Sequence, residues 1–295
     1  MIPALGARKL ASRSRAKNLS AEDVDKWLTE KAGCLSTRTL QDIRSILSRA
    51  ITRAQARDKA NRNVVLVCDV PTGRDGRVSK SLTFEQAEAL LEAAEADEST
   101  IGTYVVVALL SGVRTEEMRA LCWSHVDLDG KPNADPLVPP HIMVWRSVRA
   151  GGDTKTRMSK RTLALPVRCV AALKAHRVRQ ARHRSGRVKA TSGSGWKEHD
   201  LVFASTVGTE LSAGNVRRAF RRLAEEAELV AKDWTPRELR HSFVSLLSDG
   251  GVPIEKIARL VGHAGTSVTE TVYRHQIRPI IQDAAATIDQ LFPEQ

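Results

Sequence analysis

The sequence predicts a mostly α-helical protein with a small antiparallel β-sheet, an α+β fold. Across most of the 295 residues, apolar side chains recur at helical spacing, and several of these stretches open with a capping motif. Only two stretches, 141–148 and 161–166, are typical of strands, and polar turns separate them. A polar stretch rich in Gly and Pro, residues 70–77, divides the chain into a short and a long part.

This division predicts a helical domain over 1–69, a linker over 70–81 and a second domain over 82–295. The first domain is expected to contain two helices. One begins at Ser20, with Asp23 as its capping partner, and the other spans 37–57.

Three arginines lie four residues apart on one face of the second helix: Arg49, Arg53 and Arg57. Such a row is either a solvated basic face or a set of contacts to DNA phosphates, and spacing alone does not decide between them. Because two helices bury little apolar surface, region 1–69 is expected to be an incomplete domain.

The second domain is expected to open with a helix that begins at Thr83, is capped by Gln86 and ends near 96. A buried helix over 101–110 and a short helix from Thr115 follow it. After the two strands come a very basic stretch, 174–189, and a Ser- and Gly-rich loop, 191–195. The remaining helices are predicted over 212–229, 236–249, 253–261, 267–275 and 278–291.

The composition favours a polyanionic partner. Lysine and arginine total 46 against 34 acidic residues, which gives a formal net charge of +12 and an isoelectric point near 9.9. Aromatic residues make up only 4%, which disfavours an extended stacking surface for single strands. Duplex DNA held through its phosphates fits this composition better.

Other classes of protein are disfavoured by the absence of their signals. The four cysteines are far apart and form no CxxC pair, so we expect neither a zinc site nor a disulfide framework. No apolar stretch is long enough to span a membrane, and the basic N-terminus lacks the pattern of a secretory signal. The expected location is the cytoplasm, in association with the nucleoid.

One of the two tyrosines is a candidate nucleophile. Tyr104 lies in an apolar helix and is expected in the core, whereas Tyr273 is flanked by Arg274 and His275. Nearby positive charge favours a phenolate, which can attack phosphorus and form a covalent intermediate. The alternative is an ordinary surface tyrosine.

A second candidate group opens the helix predicted over 236–249. Thr235 and Glu238 form a capping box, which places Arg237 and Arg240 at the start of the helix beside its free N–H groups. Two cations at this end are unfavourable without an anion, because the helix dipole is positive there. The pair therefore indicates a phosphate site rather than ordinary surface residues.

Two further candidates stand on turns. Arg114 follows a tight turn, and Glu117 lies on the same face, where its carboxylate can hold the guanidinium or form an ordinary surface ion pair. Lys155 lies in the turn between the predicted strands. A partly desolvated lysine can act as a general acid, although most hairpin lysines have no such role.

In their order along the chain and in their residues, these segments together resemble the tyrosine recombinase (phage integrase) family across about 82–279. The segments that carry the resemblance are 111–121, 155–166, 239–243, 260–263 and 272–275. The sequence of 234–279 is also similar to integrases of actinobacterial mobile elements.

The resemblance implies a role for each matching position. Arg114 and Arg240 would clamp the scissile phosphate, Lys155 would protonate the departing 5′ oxygen, and His263 would hydrogen-bond the phosphate. Tyr273 would form a 3′-phosphotyrosyl bond, which a 5′-hydroxyl of a partner strand then attacks on the way to a Holliday junction. The family needs no metal and no nucleotide cofactor, because the bond energy is kept in the phosphotyrosine.

The sequence departs from the family pattern in two places. Arg237 stands where the family often has histidine, and arginine is not a base at neutral pH, so that step is dispensable or is assisted by His241 or another group. Only about the last two helices of a core-binding domain are recognisable before the linker. The implied partners are duplex DNA attachment sites, a homo-oligomer expected to be a tetramer on DNA, and accessory DNA-bending or directionality factors.

Two alternatives to an integrase that inserts or excises a mobile element stay open. A type IB topoisomerase shares the tyrosine chemistry but relaxes DNA without exchanging partners. A catalytically inactive or truncated DNA-binding protein of the same family would keep the basic surface. It would not need all five residues with implied catalytic roles, which are Arg114, Lys155, Arg240, His263 and Tyr273. A metallonuclease is disfavoured, because the sequence has no compact cluster of carboxylates or histidines.

Overall fold

The computed structural model describes residues 2–10, 18–75, 80–148, 160–188 and 200–263. The chain forms two compact units, Met1–Val78 and Ser79–Gln295. In the described parts of the chain, no helix is both long and apolar enough to cross a membrane.

The first unit is helical and has a core of its own. Its elements are α1 (Ile2–Leu5), α2 (Ala21–Ala32), α3 (Thr37–Gln55) and a 3-10 helix (Val64–Val67). Ser20 and Asp23 cap α2 reciprocally, as the sequence predicts. The buried apolar side chains of α2, α3 and the 3-10 helix pack together, so the unit holds more structure than two helices alone.

Part of the predicted linker belongs to this unit. The amide of Gly73 donates to Thr37 Oγ1 at 2.9 Å, and the amide of Arg74 donates to the Leu35 carbonyl at 2.8 Å. These bonds fix the chain against the start of α3, so residues 73 and 74 are ordered by contacts that a turn-rich composition does not reveal.

The second unit holds the remaining helices and a three-stranded sheet. They are α4 (Phe84–Ala96), α5 (Thr100–Ser111), α6 (Thr115–Arg119), α7 (Val167–Val188), α8 (Ala213–Glu226), α9 (Pro236–Asp249) and α10 (Ile254–Val261), with 3-10 helices at Trp123–His125 and Ala231–Asp233. Helix α5 is apolar on all sides and lies in the centre, packed against α4, α7 and α9.

The sheet is antiparallel, in the order β1 (Val126–Asp127), β2 (His141–Val144) and β3 (Arg161–Ala164). Both predicted strands are present but shorter than expected, and β1 was not predicted. Strand β2 pairs with β3 so that Val144 lies opposite Arg161, which places Arg161 at the first pair beyond the hairpin loop.

Helix α7 was not predicted. Residues 174–189 were predicted only as a very basic stretch, because lysine and arginine outnumber the apolar residues there. The helix is held by a narrow buried stripe, Cys169, Leu173 and His176, at helical spacing. The turns predicted at 150–153 and 158–159, the loop at 191–195 and the helices predicted over 267–275 and 278–291 lie outside the described residues.

Candidate active site

Arg114 is positioned by the turn that ends α5. Gly112 adopts a left-handed conformation (φ 61°), and a Cβ there would overlap the Phe243 ring of α9, so this turn requires glycine. Arg114 then opens α6 as its N-cap residue. Its backbone N–H and its Nη1 both donate to the Glu117 carboxylate, at 3.1 and 2.8 Å, as the sequence predicts for this pair.

Arg240 is buried and joins two helix ends. The capping box of Thr235 and Glu238 starts α9, with Pro236 in its first turn. One turn in, Arg240 donates from Nη1 to the Gly112 carbonyl at 2.7 Å and from Nη2 to the Val261 carbonyl at 2.6 Å. The guanidinium therefore ties the end of α5 to the end of α10.

Arg161 joins the same site, although the sequence analysis did not single it out. Its Nε donates to the Leu260 carbonyl at 2.7 Å, and its Nη2 donates to Glu117 Oε2 at 3.1 Å. The available signal was its place at the start of the second strand, directly after the turn that carries Lys155. An arginine at that place is also common on an exposed strand edge, so the sequence pattern alone does not reveal the contact.

Three guanidiniums thus converge on three consecutive carbonyls at the C-terminal end of α10. Arg161 binds the carbonyl of Leu260, Arg240 that of Val261, and Arg114 that of Gly262, the last at 3.2 Å. The dipole of a helix favours cations at this end. Gly262 ends α10 in a left-handed conformation, and His263 follows it directly.

His263 faces this cluster as a neutral imidazole. Its Nε2 lies 3.0 Å from Arg240 Nη2, and because arginine can only donate, Nε2 accepts the hydrogen bond. Burial, followed by the charges of Arg240, Arg114 and Arg161, lowers the pKa of His263 to about 4.

Glu117 is the one carboxylate that contacts these guanidiniums in the described part of the chain. Burial alone would raise its pKa, but the ion pairs with Arg161 and Arg114 outweigh burial and hold the pKa below its usual value. Among the described residues, three guanidiniums lie around one carboxylate, so cations outnumber anions in this part of the site. Such a cluster is suited to bind an anion with at least two negative oxygens.

The two candidates beside Arg240 differ in exposure. The Arg237 side chain is exposed, whereas His241 is buried. Burial, followed by the charge of Arg237, lowers the pKa of His241 to about 4, so this imidazole is also neutral at physiological pH.

The remaining candidates lie apart from the cluster or cannot be placed. Arg49, Arg53 and Arg57 are exposed in the first unit. Lys155 and Tyr273 lie outside the described residues. Within the described ranges, no group of three or more His, Cys, Asp or Glu side chains has the arrangement of a metal site.

Comparisons with known proteins point to one family. A sequence model of the phage integrase family matches residues 80–278. An integrase of Streptomyces ambofaciens is 59% identical over 293 residues, which are 99% of this chain and 72% of that protein. A tyrosine recombinase XerC-like protein of Caldanaerobacter subterraneus subsp. tengcongensis is 26% identical over 196 residues, which are 63% of this chain and 48% of that protein.

Solved structures share the fold at low sequence identity. The Tn1549 transposon integrase in complex with a circular intermediate DNA has a TM-score of 0.64 at 18% identity, over 94% of this chain and 89% of that chain. The XerH site-specific recombinase, in a post-cleavage complex with palindromic difH substrate, has a TM-score of 0.64 at 18% identity, over 94% of this chain and 74% of that chain. A lambda integrase dimer bound to a COC′ core site has a TM-score of 0.59 at 17% identity, over 89% of this chain and 82% of that chain.

Proposed function

This chain belongs to the phage integrase family and is therefore a tyrosine recombinase, and we propose that it cuts and rejoins duplex DNA through a 3′-phosphotyrosyl bond at Tyr273. The observation that carries the proposal is the cation-rich cluster at the end of α10. Arg114, Arg161 and Arg240 meet there beside His263, and preorganised donors of this kind stabilise the negative charge that a phosphate develops in its transition state.

Arg114 and Arg240 are the proposed phosphate clamp. The described residues accept only two hydrogen bonds from the Arg114 side chain, at Glu117 and at Gly262, and a guanidinium has five N–H donors. The remaining donors can hold the non-bridging oxygens of the scissile phosphate. His263, held by Arg240, supplies a further hydrogen bond from its neutral ring.

The chemical step needs one group to lose a proton and one to supply it. The phenolate oxygen of Tyr273 attacks phosphorus and forms the phosphotyrosyl bond, while the bond from phosphorus to the 5′ oxygen breaks. Phosphorus keeps its bond to the 3′ oxygen, so the 3′ end stays attached to the enzyme. Lys155 gives its proton to that oxygen. The phenol proton passes to solvent or to His241, the neutral imidazole one turn beyond Arg237. Rejoining is the reverse, with a 5′-hydroxyl as nucleophile.

The proposed function also assigns roles to the domains, the binding partners and the cellular location. Residues 1–69 form a partial helical core-binding domain, 70–81 a linker and 82–295 the catalytic domain. The exposed Arg49, Arg53 and Arg57 contact DNA phosphates. The chain acts on attachment sites of a mobile element as a homo-oligomer, with a tetramer for strand exchange and accessory DNA-bending or directionality factors, and it works in the cytoplasm on nucleoid DNA.

A covalent-adduct assay tests the chemistry. Nicked duplexes tiled from DNA that flanks the gene are incubated with protein in EDTA and resolved on a denaturing gel. We expect wild type to give a protein–DNA adduct that Tyr273→Phe lacks. The matched control is Tyr104→Phe, which changes the other tyrosine of the chain, a buried residue whose pKa is raised by burial. It should keep the adduct.

Each other result changes the assignment. An adduct that persists in Tyr273→Phe overturns the nucleophile. No adduct from wild type on any duplex, with DNA binding intact, favours the inactive DNA-binding alternative. An adduct together with relaxation of supercoiled DNA, but no exchange between two site-bearing duplexes, favours the topoisomerase-like alternative.

A further inference from the structure

We propose that Arg161 is a positioning residue of the active site, which sets Arg114 through Glu117 and the His263 turn through Leu260. This inference rests on the proposed function, because it concerns how the phosphate clamp is held. None of the family motifs used above assigns a role to this residue.

The geometry of Arg161 connects three parts of the site. Its Nε donates to the Leu260 carbonyl at 2.7 Å, one residue before the carbonyl that Arg240 binds. Its Nη2 donates to Glu117 Oε2 at 3.1 Å, while the other oxygen of the same carboxylate accepts from Arg114 Nη1 at 2.8 Å. Glu117 therefore lies between two guanidiniums, that of Arg114 at the start of α6 and that of Arg161 on β3.

Arg161 is more buried than Arg114, which lies on the other side of Glu117. Its side chain is 8% exposed, against 21% for Arg114. A buried guanidinium is costly unless its donors are satisfied, and the Leu260 carbonyl and Glu117 satisfy donors on two sides of the fork. Arg114, the more exposed member of the pair, is left to face the phosphate.

The position of Arg161 on the sheet explains why this contact matters for catalysis. It is the first paired residue of β3, opposite Val144, and the chain that precedes it carries Lys155. Its contacts on one side reach α6, where Arg114 sits, and on the other side reach the end of α10, directly before His263. One side chain thus sets the spacing between the strand after the lysine, the first arginine and the histidine.

Arg161→Gln tests the proposal in single-turnover cleavage of a nicked substrate. A displacement of about 1 Å in a reacting group can cost about 10²-fold in rate, so we expect a loss of about that size, with the Kd for DNA nearly unchanged. Arg161→Lys keeps the charge and the pair with Glu117 but not the fork, so it should recover part of the rate.

Arg119→Gln is the matched control. Arg119 is also partly buried, on α6, and also binds one carbonyl (Leu211) and one carboxylate (Glu210), but on the side of the loop before α8. It should lower the melting temperature about as much as Arg161→Gln while leaving the cleavage rate close to wild type.

A double variant separates positioning from a direct role. If Arg161 acts partly through Glu117, Arg161→Gln combined with Glu117→Gln should lose less rate than the product of the two single losses, because neighbours in one network are not additive. Combination with Lys155→Ala should multiply the two losses. Additive losses for the Glu117 pair, or a loss of DNA affinity equal to the loss of rate, would overturn the proposal.

A second readout does not depend on cleavage. The charge of Arg161 contributes to the lowered pKa of His263, so an NMR titration of this histidine should give a higher pKa in Arg161→Gln and an unchanged one in Arg119→Gln. An unchanged His263 pKa in Arg161→Gln would contradict the placement of the Arg161 charge beside the His263 turn. Absence of any adduct from wild type is a failure of the proposed function instead.

Discussion

Arginine has two different surroundings in the second unit, and the difference separates structural from binding arginines. Arg168, near the start of α7, lies between two carboxylates of α4. Its Nη1 donates to both oxygens of Glu88 at 2.8 and 3.0 Å, and its Nε and Nη2 donate to the two oxygens of Glu95 at 2.8 and 3.0 Å. One cation thus has two anions, and its side chain is 37% exposed.

The cluster at the end of α10 has the opposite balance. Arg114 and Arg161 share Glu117, and within the described ranges the bonds of Arg240 and the other bonds of this pair go chiefly to backbone carbonyls. A carbonyl orients a guanidinium without neutralising it. The number of neighbouring carboxylates therefore distinguishes the two kinds of arginine: two around one guanidinium hold a helix pair together, whereas one shared between two guanidiniums favours an anionic ligand.

Arg240→Gln should give the largest effect, because it removes one of the two guanidiniums that are proposed to clamp the phosphate. Loss of one preorganised donor to a transition state costs about 10²–10³-fold in rate, and we expect single-turnover cleavage to fall by at least that much. Arg240→Lys should not restore it, since one ammonium cannot bond both helix-end carbonyls and a phosphate.

Thermal unfolding of Arg240→Gln distinguishes a loss of catalysis from a loss of folded protein. Two buried carbonyls lose their donor in Arg240→Gln, at about 1–3 kcal/mol each if neither finds a new one, so the variant is assayed below its own melting temperature. Cleavage within about tenfold of wild type by a folded Arg240→Gln would remove the distinction between the two clusters.

The pH dependence of stability gives the second largest effect. Burial and the charge of nearby arginines, Arg240 among them, lower the pKa values of His241 and His263 to about 4, below the usual value of 6.5. Between these values the unfolded chain binds more protons than the folded one. The free energy of unfolding should therefore fall as pH drops from 6.5 towards 4, by up to about 1.4 kcal/mol per pH unit for each histidine.

Urea unfolding at several pH values checks this slope. His241→Gln combined with His263→Gln should flatten it. Some slope should persist, because burial also lowers the pKa of His176, which is stacked between Trp123 and Phe203. A slope in the double variant equal to that of wild type would show that the cluster does not hold these histidines neutral.

The sequence predicted those parts of the fold that depend on neighbours in the chain. The capping boxes at Thr83 and Thr235, and the pair of Arg114 with Glu117, involve residues three positions apart, and all are present. The mostly helical fold with a small antiparallel sheet and the family are likewise confirmed.

The contacts that assemble the site were beyond the sequence, because they join distant segments. Arg161 lies 99 residues from Leu260 and 44 from Glu117, and no periodicity connects them. Helix α7 was missed for a related reason: its buried stripe is defined by α5, against which it packs, and its many charges conceal that stripe in the sequence. The roles of Tyr273 and Lys155 stay predictions.

Arg168→Gln should give the smallest effect, because it changes the arginine that lies between two carboxylates and away from the end of α10. Both carboxylates raise the pKa of Arg168, Glu95 most strongly, yet the pairs are exposed enough for water and salt to screen them. Measured contributions of such pairs are about 0.2–1 kcal/mol, so we expect a slightly lower melting temperature and an unchanged cleavage rate.

Ionic strength should affect the Arg168→Gln and Arg240→Gln variants differently. Raising the ionic strength should shrink the difference in melting temperature between wild type and Arg168→Gln, because screening weakens in wild type the same pairs that the variant lacks. The rate ratio between wild type and Arg240→Gln, measured with DNA saturating, should stay large, since the charges at the buried helix end are screened much less. If Arg168→Gln slowed cleavage as Arg240→Gln does, carboxylate number would not distinguish the two kinds of arginine.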